Sequence, residues 1–351
     1  MNGRAAACIP MAAMTGIRRI LSIDGGGIKG ALPAGFLMQI EEATGERIVD
    51  HFDLIVGTST GGIIAIGLGL GVPAAEILSL YRQDGPAIFG ELPKPGEGAG
   101  RLDRATAWVR EAARRKFRRA RSIGAPKHDS EALRAALVKV LGERCLGESL
   151  TRLVIPAYNA DLRTVCVLKT SHHERFEVDW KMLAVDAALA TAAAPTYFRA
   201  HELPNGARLV DGGVWANNPS GLAVVEAVGV LGWDRSALRV LSLGCTEEAF
   251  VPHPEAGLGH LALDATTLLM QGQSFGSWGT AKILAGPGNV HRVNPVVPKG
   301  LFSLNDVSKV DRLAGMGAGC ARHELPMVRR EFLCGRREDF VPFHGLRAVP
   351  H

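Results

Sequence analysis

Two short apolar runs, each leading directly into a cluster of glycines, constrain most strongly what this chain can fold into. The first is "ILSIDGGGIKGAL" at 20–32 and the second is "DLIVGTSTGGII" at 53–64. Each run predicts a buried strand, and apolar residues at helical spacing follow the glycines, as in 30–43. A strand that turns at once into a helix is typical of a parallel sheet with helices on both faces. The sequence therefore predicts an α/β fold of three layers, α/β/α, around a central, mostly parallel sheet.

Further apolar runs continue this alternation along the chain. They predict strands at 152–158, 164–170 and 238–244, and a helix at 182–194 that Pro195 ends. The remainder after the last of these strands has the pattern of helices and loops.

The length and the absence of an obvious linker bear on domain organisation. A chain of 351 residues can form one large α/β domain or two small ones, and no linker forces a boundary. We expect a disordered N-terminal extension at 1–17 and one domain at 18–351. Within it, we expect a core at 18–245 and a helical C-terminal part at 246–351.

Charge and composition narrow the classes of function. The net charge of +5 favours an anionic partner, such as a membrane surface, a nucleic acid or a phosphorylated ligand. Six cysteines without C-x-x-C spacing predict reduced thiols in a cytosolic protein, and neither a metal site nor a cofactor is expected. The longest apolar run, near 61–72, is too short to cross a bilayer. The N-terminal residues resemble a secretory leader only weakly, because Pro10 interrupts a short apolar region.

The glycines after the first predicted strand have several interpretations. Gly25, Gly27 and Gly30 match the dinucleotide-binding pattern G-x-G-x-x-G. However, a carboxylate at Asp24 would repel a pyrophosphate, and the acidic residue expected about twenty positions later, after a second strand, is missing. Consecutive glycines can instead direct backbone N–H groups at an oxyanion, since no side chain blocks the approach. A tight turn without a ligand is the third interpretation, and this stretch alone leaves all three open.

A candidate nucleophile follows the second predicted strand. Residues 57–61 match the nucleophile-elbow pattern G-x-S-x-G around Ser59, and 272–276 match it around Ser274. The elbow requires a strand before the serine and a helix after it. Ser59 has both, whereas Ser274 follows a stretch with helical periodicity. We therefore predict that Ser59 is the nucleophile and that Ser274 is structural.

A serine hydroxyl needs a base to accept its proton. Asp211 ends a predicted strand and is followed by two glycines that leave room around it. It could orient a histidine in a Ser–His–Asp triad, for which His253, His260 and His291 are candidates. Alternatively, Asp211 could accept the proton directly if it lies within hydrogen-bonding distance of Ser59.

Taken together, these segments resemble the patatin-like phospholipases. The resemblance lies in "DGGGIKG" at 24–30, "GTSTGG" at 57–62, "AAAPTYF" at 192–198 and "DGG" at 211–213. It extends over about 18–245 in the order and spacing of the family.

The resemblance implies the patatin-like fold and hydrolysis of acyl esters in lipids by a Ser–Asp dyad without a histidine. Ser59 would be the nucleophile and Asp211 the base. The oxyanion hole would consist of the backbone N–H groups of Gly25, Gly26 and Gly27. The residues that would support these motifs are Asp24, Lys29, Gly30, Gly57, Gly61, Gly212 and Gly213. Lys29 stands where the family more often has Arg, which keeps the charge but loses the planar fork.

A finer resemblance concerns regulation. "AAEILSLYRQDGPAIF" at 74–89 and "VPFH" at 341–344 resemble bacterial patatin-like phospholipases that act as effectors in cyclic-oligonucleotide anti-phage systems (CBASS). This implies activation by a cyclic dinucleotide such as cyclic GMP-AMP, and degradation of membrane phospholipid by a cytoplasmic protein acting at the inner membrane surface. No nucleic-acid partner is implied, and a homo-oligomer stays open. The alternatives are a constitutive Ser–Asp–His esterase and a non-catalytic nucleotide-binding module.

One strongly basic stretch, at 101–127, has no place in these motifs. It contains ten Lys and Arg against two acidic residues, with a partial apolar face. A basic amphipathic helix of this kind can lie on anionic lipid or contact a phosphate-bearing effector. A solvated helix or loop without a ligand is the third interpretation.

Overall fold

The computed structural model of the chain describes residues 16–88, 130–248 and 258–345. The predicted extension at 1–17, except its last two residues, and the basic stretch at 101–127 lie outside the described residues.

Six of the ten strands in the described residues lie in segments that were predicted as strands, whereas the short strands at 201–202, 247–248, 290–293 and 296–297 were not predicted. In chain order the strands are β1 (Arg18–Ile23), β2 (Leu54–Gly57), β3 (Arg152–Asn159), β4 (Thr164–Lys169), β5 (His201–Glu202), β6 (Arg208–Asp211), β7 (Leu238–Leu243), β8 (Glu247–Glu248), β9 (Val290–Val293) and β10 (Val296–Val297).

The helices of the described residues also follow the predicted pattern. They are α1 (Ala31–Thr44), α2 (Thr60–Gly69), α3 (Ala74–Gln83), α4 (Gly85–Ile88), α5 (Ser130–Leu141), α6 (Ala184–Ala192), α7 (Gly213–Ala216), α8 (Ser220–Gly229), α9 (Leu258–Ala285) and α10 (Val310–Glu331). The helix predicted at 182–194 is α6, and it ends shortly before Pro195.

The main sheet has a parallel centre and an antiparallel edge. Its strand order is β5-β6-β3-β2-β1-β7-β9, with β4 also paired to β3. The strands from β3 through β2, β1 and β7 to β9 are parallel, whereas β4, β5 and β6 pair antiparallel. Ile23 is in register with Gly57, so the turns that follow β1 and β2 lie side by side at one edge of the sheet.

Each face of the sheet packs against its own helices. Leu21 and Ile23 of β1 belong to one buried apolar cluster and Ile20 belongs to a second, as expected for a strand whose side chains alternate between faces. Residues of α1 and α10 complete the first cluster, and residues of α8 and α9 complete the second. The predicted three-layer α/β/α class with a mostly parallel sheet is thereby confirmed.

The C-terminal part contributes more than helices. It contains the long helices α9 and α10, as predicted, but β9 also extends the main sheet beside β7. The division that we expected near residue 245 therefore does not coincide with an edge of the sheet.

Candidate active site

Ser59 occupies a sharp turn between β2 and α2. Its backbone has φ 56° and ψ −123°. Residues other than glycine rarely adopt this conformation, and it is typical of a strained functional turn. A Cβ at Gly61 would collide with the carbonyl oxygen of Ile23 in β1, and one at Gly57 would collide with the carbonyl oxygen of Gly61. The two glycines of the G-x-S-x-G pattern thus allow α2 to begin directly against the sheet. The helix N-terminus next to Ser59 carries the positive end of the helix dipole.

The structure brings Ser59 and Asp211 into direct contact. The Ser59 hydroxyl donates a hydrogen bond of 2.6 Å to Asp211 Oδ2, and the Gly213 N–H donates one of 2.6 Å to Oδ1. Both side chains are buried, at 8% and 5% exposure. Burial raises the pKa of Asp211 to about 6, although the hydrogen bonds from Ser59 and Gly213 lower it. Such a carboxylate is ionised at neutral pH and is a stronger base than a carboxylate at the surface.

Thr191, near the end of α6, forms hydrogen bonds with the backbone at Ser59 and next to Asp211. The Thr191 hydroxyl accepts a 3.0 Å hydrogen bond from the Ser59 N–H and donates one of 2.5 Å to the Pro156 carbonyl oxygen. The Thr191 carbonyl oxygen also accepts the Gly212 N–H at 3.3 Å. Sequence reasoning missed this residue, and its one signal was its position directly before the segment at 192–198.

The glycine loop after β1 lies against the elbow. A Cβ at Gly25 would come within 3.1 Å of the Ser59 Cβ. The Gly25 N–H donates to the Asn217 carbonyl oxygen at 2.9 Å, so this amide is already occupied. The N–H groups of Gly26 and Gly27 have no acceptor among the described residues, and Gly27 has φ 58°. Of the three predicted oxyanion donors, Gly25 is therefore excluded, and the N–H groups of Gly26 and Gly27 stay as candidates.

The other residues of the predicted motifs lie around this centre. Asp24 points to Arg292 of β9, with 2.6 Å between Oδ2 and Nη2, and Lys29 is partly exposed. A Cβ at Gly30 would lie 2.7 Å from the Tyr81 hydroxyl, and one at Gly212 would collide with the Pro156 carbonyl oxygen. These glycines are therefore required by close packing. The sequence carried no signal for Arg292.

None of the candidate histidines is found in a triad with Ser59 and Asp211 among the described residues. Among the described side chains, no histidine lies within hydrogen-bonding distance of Ser59 or Asp211. The His291 ring packs edge-on against Phe332, with 5.9 Å between the ring centres. His253 and the side chain of His260 lie outside the described part of the chain.

Ser274, in the second G-x-S-x-G match, lies in the middle of α9. Its hydroxyl accepts a hydrogen bond from Asn218 Nδ2 at 3.2 Å and lies 3.5 Å from Arg292 Nη2. The helical setting predicted for it is confirmed, and no strand–turn–helix surrounds it.

No helix in the described segments is long and apolar enough to cross a membrane.

Comparisons with known proteins show what the chain as a whole is similar to. Residues 21–224 match the family model described as "Patatin-like phospholipase". A "cGAMP-activated phospholipase" of Pseudomonas aeruginosa is 36% identical over 234 residues, which are 66% of this chain and 64% of that protein. A protein of the same description from Vibrio cholerae is 33% identical over 255 residues, covering 69% of this chain and 68% of its own length. "Patatin-like protein 2" of Arabidopsis thaliana is 34% identical over 278 residues, covering 69% and 64%. The chain thus spans about two thirds of the length of these relatives.

Proposed function

Because this chain belongs to the patatin-like phospholipase family, we propose that it hydrolyses the acyl ester bonds of phospholipids, with Ser59 as the nucleophile and Asp211 as the base. The observation that supports this most directly is the 2.6 Å hydrogen bond from the Ser59 hydroxyl to the Asp211 carboxylate. Asp211 can accept the serine proton without a histidine, because the two groups are already in contact.

The proposed reaction has two halves. In the first, Asp211 takes the proton of the Ser59 hydroxyl while Oγ attacks the ester carbonyl carbon. The oxyanion is stabilised by the N–H groups of Gly26 and Gly27 and by the N-terminus of α2. The carbon–oxygen bond to the glycerol breaks, and Asp211 returns the proton to the departing alcohol. In the second half, Asp211 takes a proton from water, whose oxygen attacks the acyl carbon. The bond from that carbon to Ser59 Oγ then breaks, and Asp211 returns the proton to Oγ, which releases the fatty acid and restores free Ser59.

We further propose that a cyclic dinucleotide, with cyclic GMP-AMP as the first candidate, activates the enzyme. Two of its bacterial relatives are described as cGAMP-activated phospholipases. The segments at 74–89 and 341–344 resemble effectors of the same kind, and the net positive charge favours an anionic ligand. On this proposal the protein degrades phospholipid at the inner surface of the membrane as an anti-phage effector. No residue is assigned to the nucleotide.

The nucleophile can be tested against its matched alternative. Ser59→Ala should reduce hydrolysis of phospholipid vesicles and of a short-chain ester to background, because Ser59 supplies the one hydroxyl that hydrogen-bonds Asp211 in the described part of the chain. Ser274→Ala, in the second G-x-S-x-G match, should retain most of the activity. A fluorophosphonate probe should label the wild type and Ser274→Ala but not Ser59→Ala. Labelling at Ser274, or an active Ser59→Ala protein, would contradict the proposal.

A further inference from the structure

Asp24, directly before the glycine loop, carries a buried carboxyl group that the proposed mechanism does not use. The residue as a whole is 4% exposed, and it lies at the point where β1 ends. It precedes the two proposed oxyanion donors, Gly26 and Gly27, by two and three residues. In a poorly hydrated site, a negative charge here would oppose the negative charge that develops on the oxyanion.

Arg292 of β9 pairs with both oxygens of this carboxyl group. Nη2 donates to Oδ2 at 2.6 Å and Nη1 donates to Oδ1 at 3.3 Å. Nη1 also donates to the Ser242 hydroxyl at 2.7 Å. The side chains of Arg292 and Asp24 are only 9% and 6% exposed. A buried charge pair with this two-pronged geometry is strong, and removing one partner leaves an uncompensated charge.

The other groups that face Asp24 among the described residues, Glu247 and Cys245, cannot neutralise its charge in place of Arg292. Burial raises the pKa of Asp24, Arg292 lowers it and Glu247 raises it, so the pKa lies above its ordinary value. Burial raises the pKa of the neighbouring Cys245 thiol to about 12, so that group is neutral. Burial lowers the pKa of Arg292, but Asp24, together with Glu247 and Cys245, raises it, and the pKa lies above its ordinary value, so the guanidinium stays charged. Without Arg292, burial and Glu247 would raise the pKa of Asp24 further, and any negative charge on Asp24 would be unpaired.

We infer that Arg292 is a positioning residue of the reaction: it holds Asp24 in a neutral pair, so that the adjacent glycine loop receives the oxyanion without an opposing charge. This inference rests on the proposed roles of Ser59 and the glycine loop. It assigns a part in the reaction to β9, a strand that lies beyond the residues matched by the family model.

The first test is Arg292→Gln in the full chain, assayed on a short-chain ester. We expect kcat to fall on the order of 10- to 100-fold at alkaline pH, with KM little changed, because the opposing charge acts on the transition state. The loss should shrink toward acid pH, where Asp24 is protonated. Arg82→Gln is the matched control. It breaks an exposed ion pair with Asp311 and should leave kcat unchanged at every pH.

The second test restores neutrality without the pair. Adding Asp24→Asn to Arg292→Gln should bring kcat back to within about fivefold of the wild type and abolish the extra pH dependence. Arg292→Lys, which keeps the charge but not the fork, should retain most of kcat at a lower melting temperature. The activity of Arg292→Lys therefore tests the inference even if Arg292→Gln does not fold.

Three results would overturn the inference: wild-type kcat in Arg292→Gln across the pH range, a loss that is independent of pH and not recovered by Asp24→Asn, or a folded Arg292→Lys protein without activity. Failure of the proposed function looks different. In that case the wild type hydrolyses no ester, or Ser59→Ala is as active as the wild type.

Discussion

At the scale of single residues, two opposing influences act on the Asp211 carboxyl group. Burial favours its neutral form, whereas the hydrogen bonds from Ser59 and Gly213 favour the ionised form. Because burial is the larger influence, the pKa rises to about 6. The group is then mostly ionised at neutral pH and still basic enough to accept the serine proton.

This pKa predicts the pH dependence of the reaction. Asp211 must be ionised to act as a base, so kcat/KM should fall as the pH drops through about 6 and level off above about pH 7. Carboxyl ionisation depends only weakly on temperature, whereas imidazole ionisation depends strongly on it. The acid limb should therefore stay in place when the profile is repeated at a higher temperature. A limb that moves to lower pH on warming would indicate a histidine base.

The same pKa predicts a cost to stability. The folded state raises the pKa of Asp211 from 3.8 to about 6, so ionisation of Asp211 destabilises the fold. The wild type should lose stability as the pH rises from about 4 to about 6, and the loss should persist above that range. Asp211→Asn cannot ionise. Its free energy of unfolding, relative to the wild type, should increase by up to about 3 kcal/mol between pH 4 and pH 7.

Urea unfolding of both proteins at the two pH values measures this difference. Equal differences at both pH values would contradict the prediction.

Hydrolysis by Asp211→Asn should be lower by several orders of magnitude, since an amide cannot accept the serine proton.

At the scale of secondary structure, the two G-x-S-x-G matches show how the surrounding elements determine what a pattern does. Around Ser59 the pattern joins β2 to α2, and its glycines lie against other backbone atoms. Around Ser274 it lies inside α9, where a Cβ at Gly272 or Gly276 would meet no atom within 4 Å. Glycine is required at the first location and dispensable at the second.

This contrast yields a paired prediction. Gly61→Ala introduces a Cβ that collides with the carbonyl oxygen of Ile23, so α2 must shift away from β1. We expect a loss of about 1–3 kcal/mol in stability and a large loss of activity, because Ser59 precedes the shifted helix. Gly276→Ala, at the equivalent position of the second match, should gain about 0.5–1 kcal/mol from helix propensity and stay active. Thermal melts and ester hydrolysis of both variants test this, and a tolerated Gly61→Ala would be the contradicting result.

At the scale of the whole molecule, the sheet order assembles the site from distant parts of the chain. The turns after β1 and β2 are neighbours, Asp211 comes from the antiparallel edge, and Arg292 comes from the C-terminal strand β9. In this arrangement the Ser59 hydroxyl and the Asp211 carboxylate are in direct contact.

The proposed activator can be separated from catalysis. If cyclic GMP-AMP favours an opened or assembled state through higher affinity for it, lipid hydrolysis should rise on its addition. If the nucleotide binds away from Ser59, as we propose, Ser59→Ala should bind it as tightly as the wild type. Calorimetric titration of Ser59→Ala with a panel of cyclic di- and trinucleotides, beside wild-type activity on vesicles, tests this. No binding together with full basal activity would indicate a constitutive lipase.

The sequence by itself determined the fold class and the identity of the dyad candidates. Strand and helix periods are local properties, so the runs at 20–32 and 53–64 predicted the turns that the structure contains. The same local logic distinguished Ser59 from Ser274, because the elements on either side of each serine can be inferred from neighbouring residues.

Only the tertiary structure decided which partners each group meets. The occupied Gly25 amide, the Thr191 hydroxyl beneath Ser59 and the Asp24–Arg292 pair all join residues that are far apart in sequence. Such contacts depend on strand order and on close packing between layers, which leave no periodic signal along the chain. For the same reason, the choice between a direct Asp211 base and a histidine triad stayed open in the sequence, and the contact between Ser59 and Asp211 emerged only when β6 and the elbow were placed together in the fold.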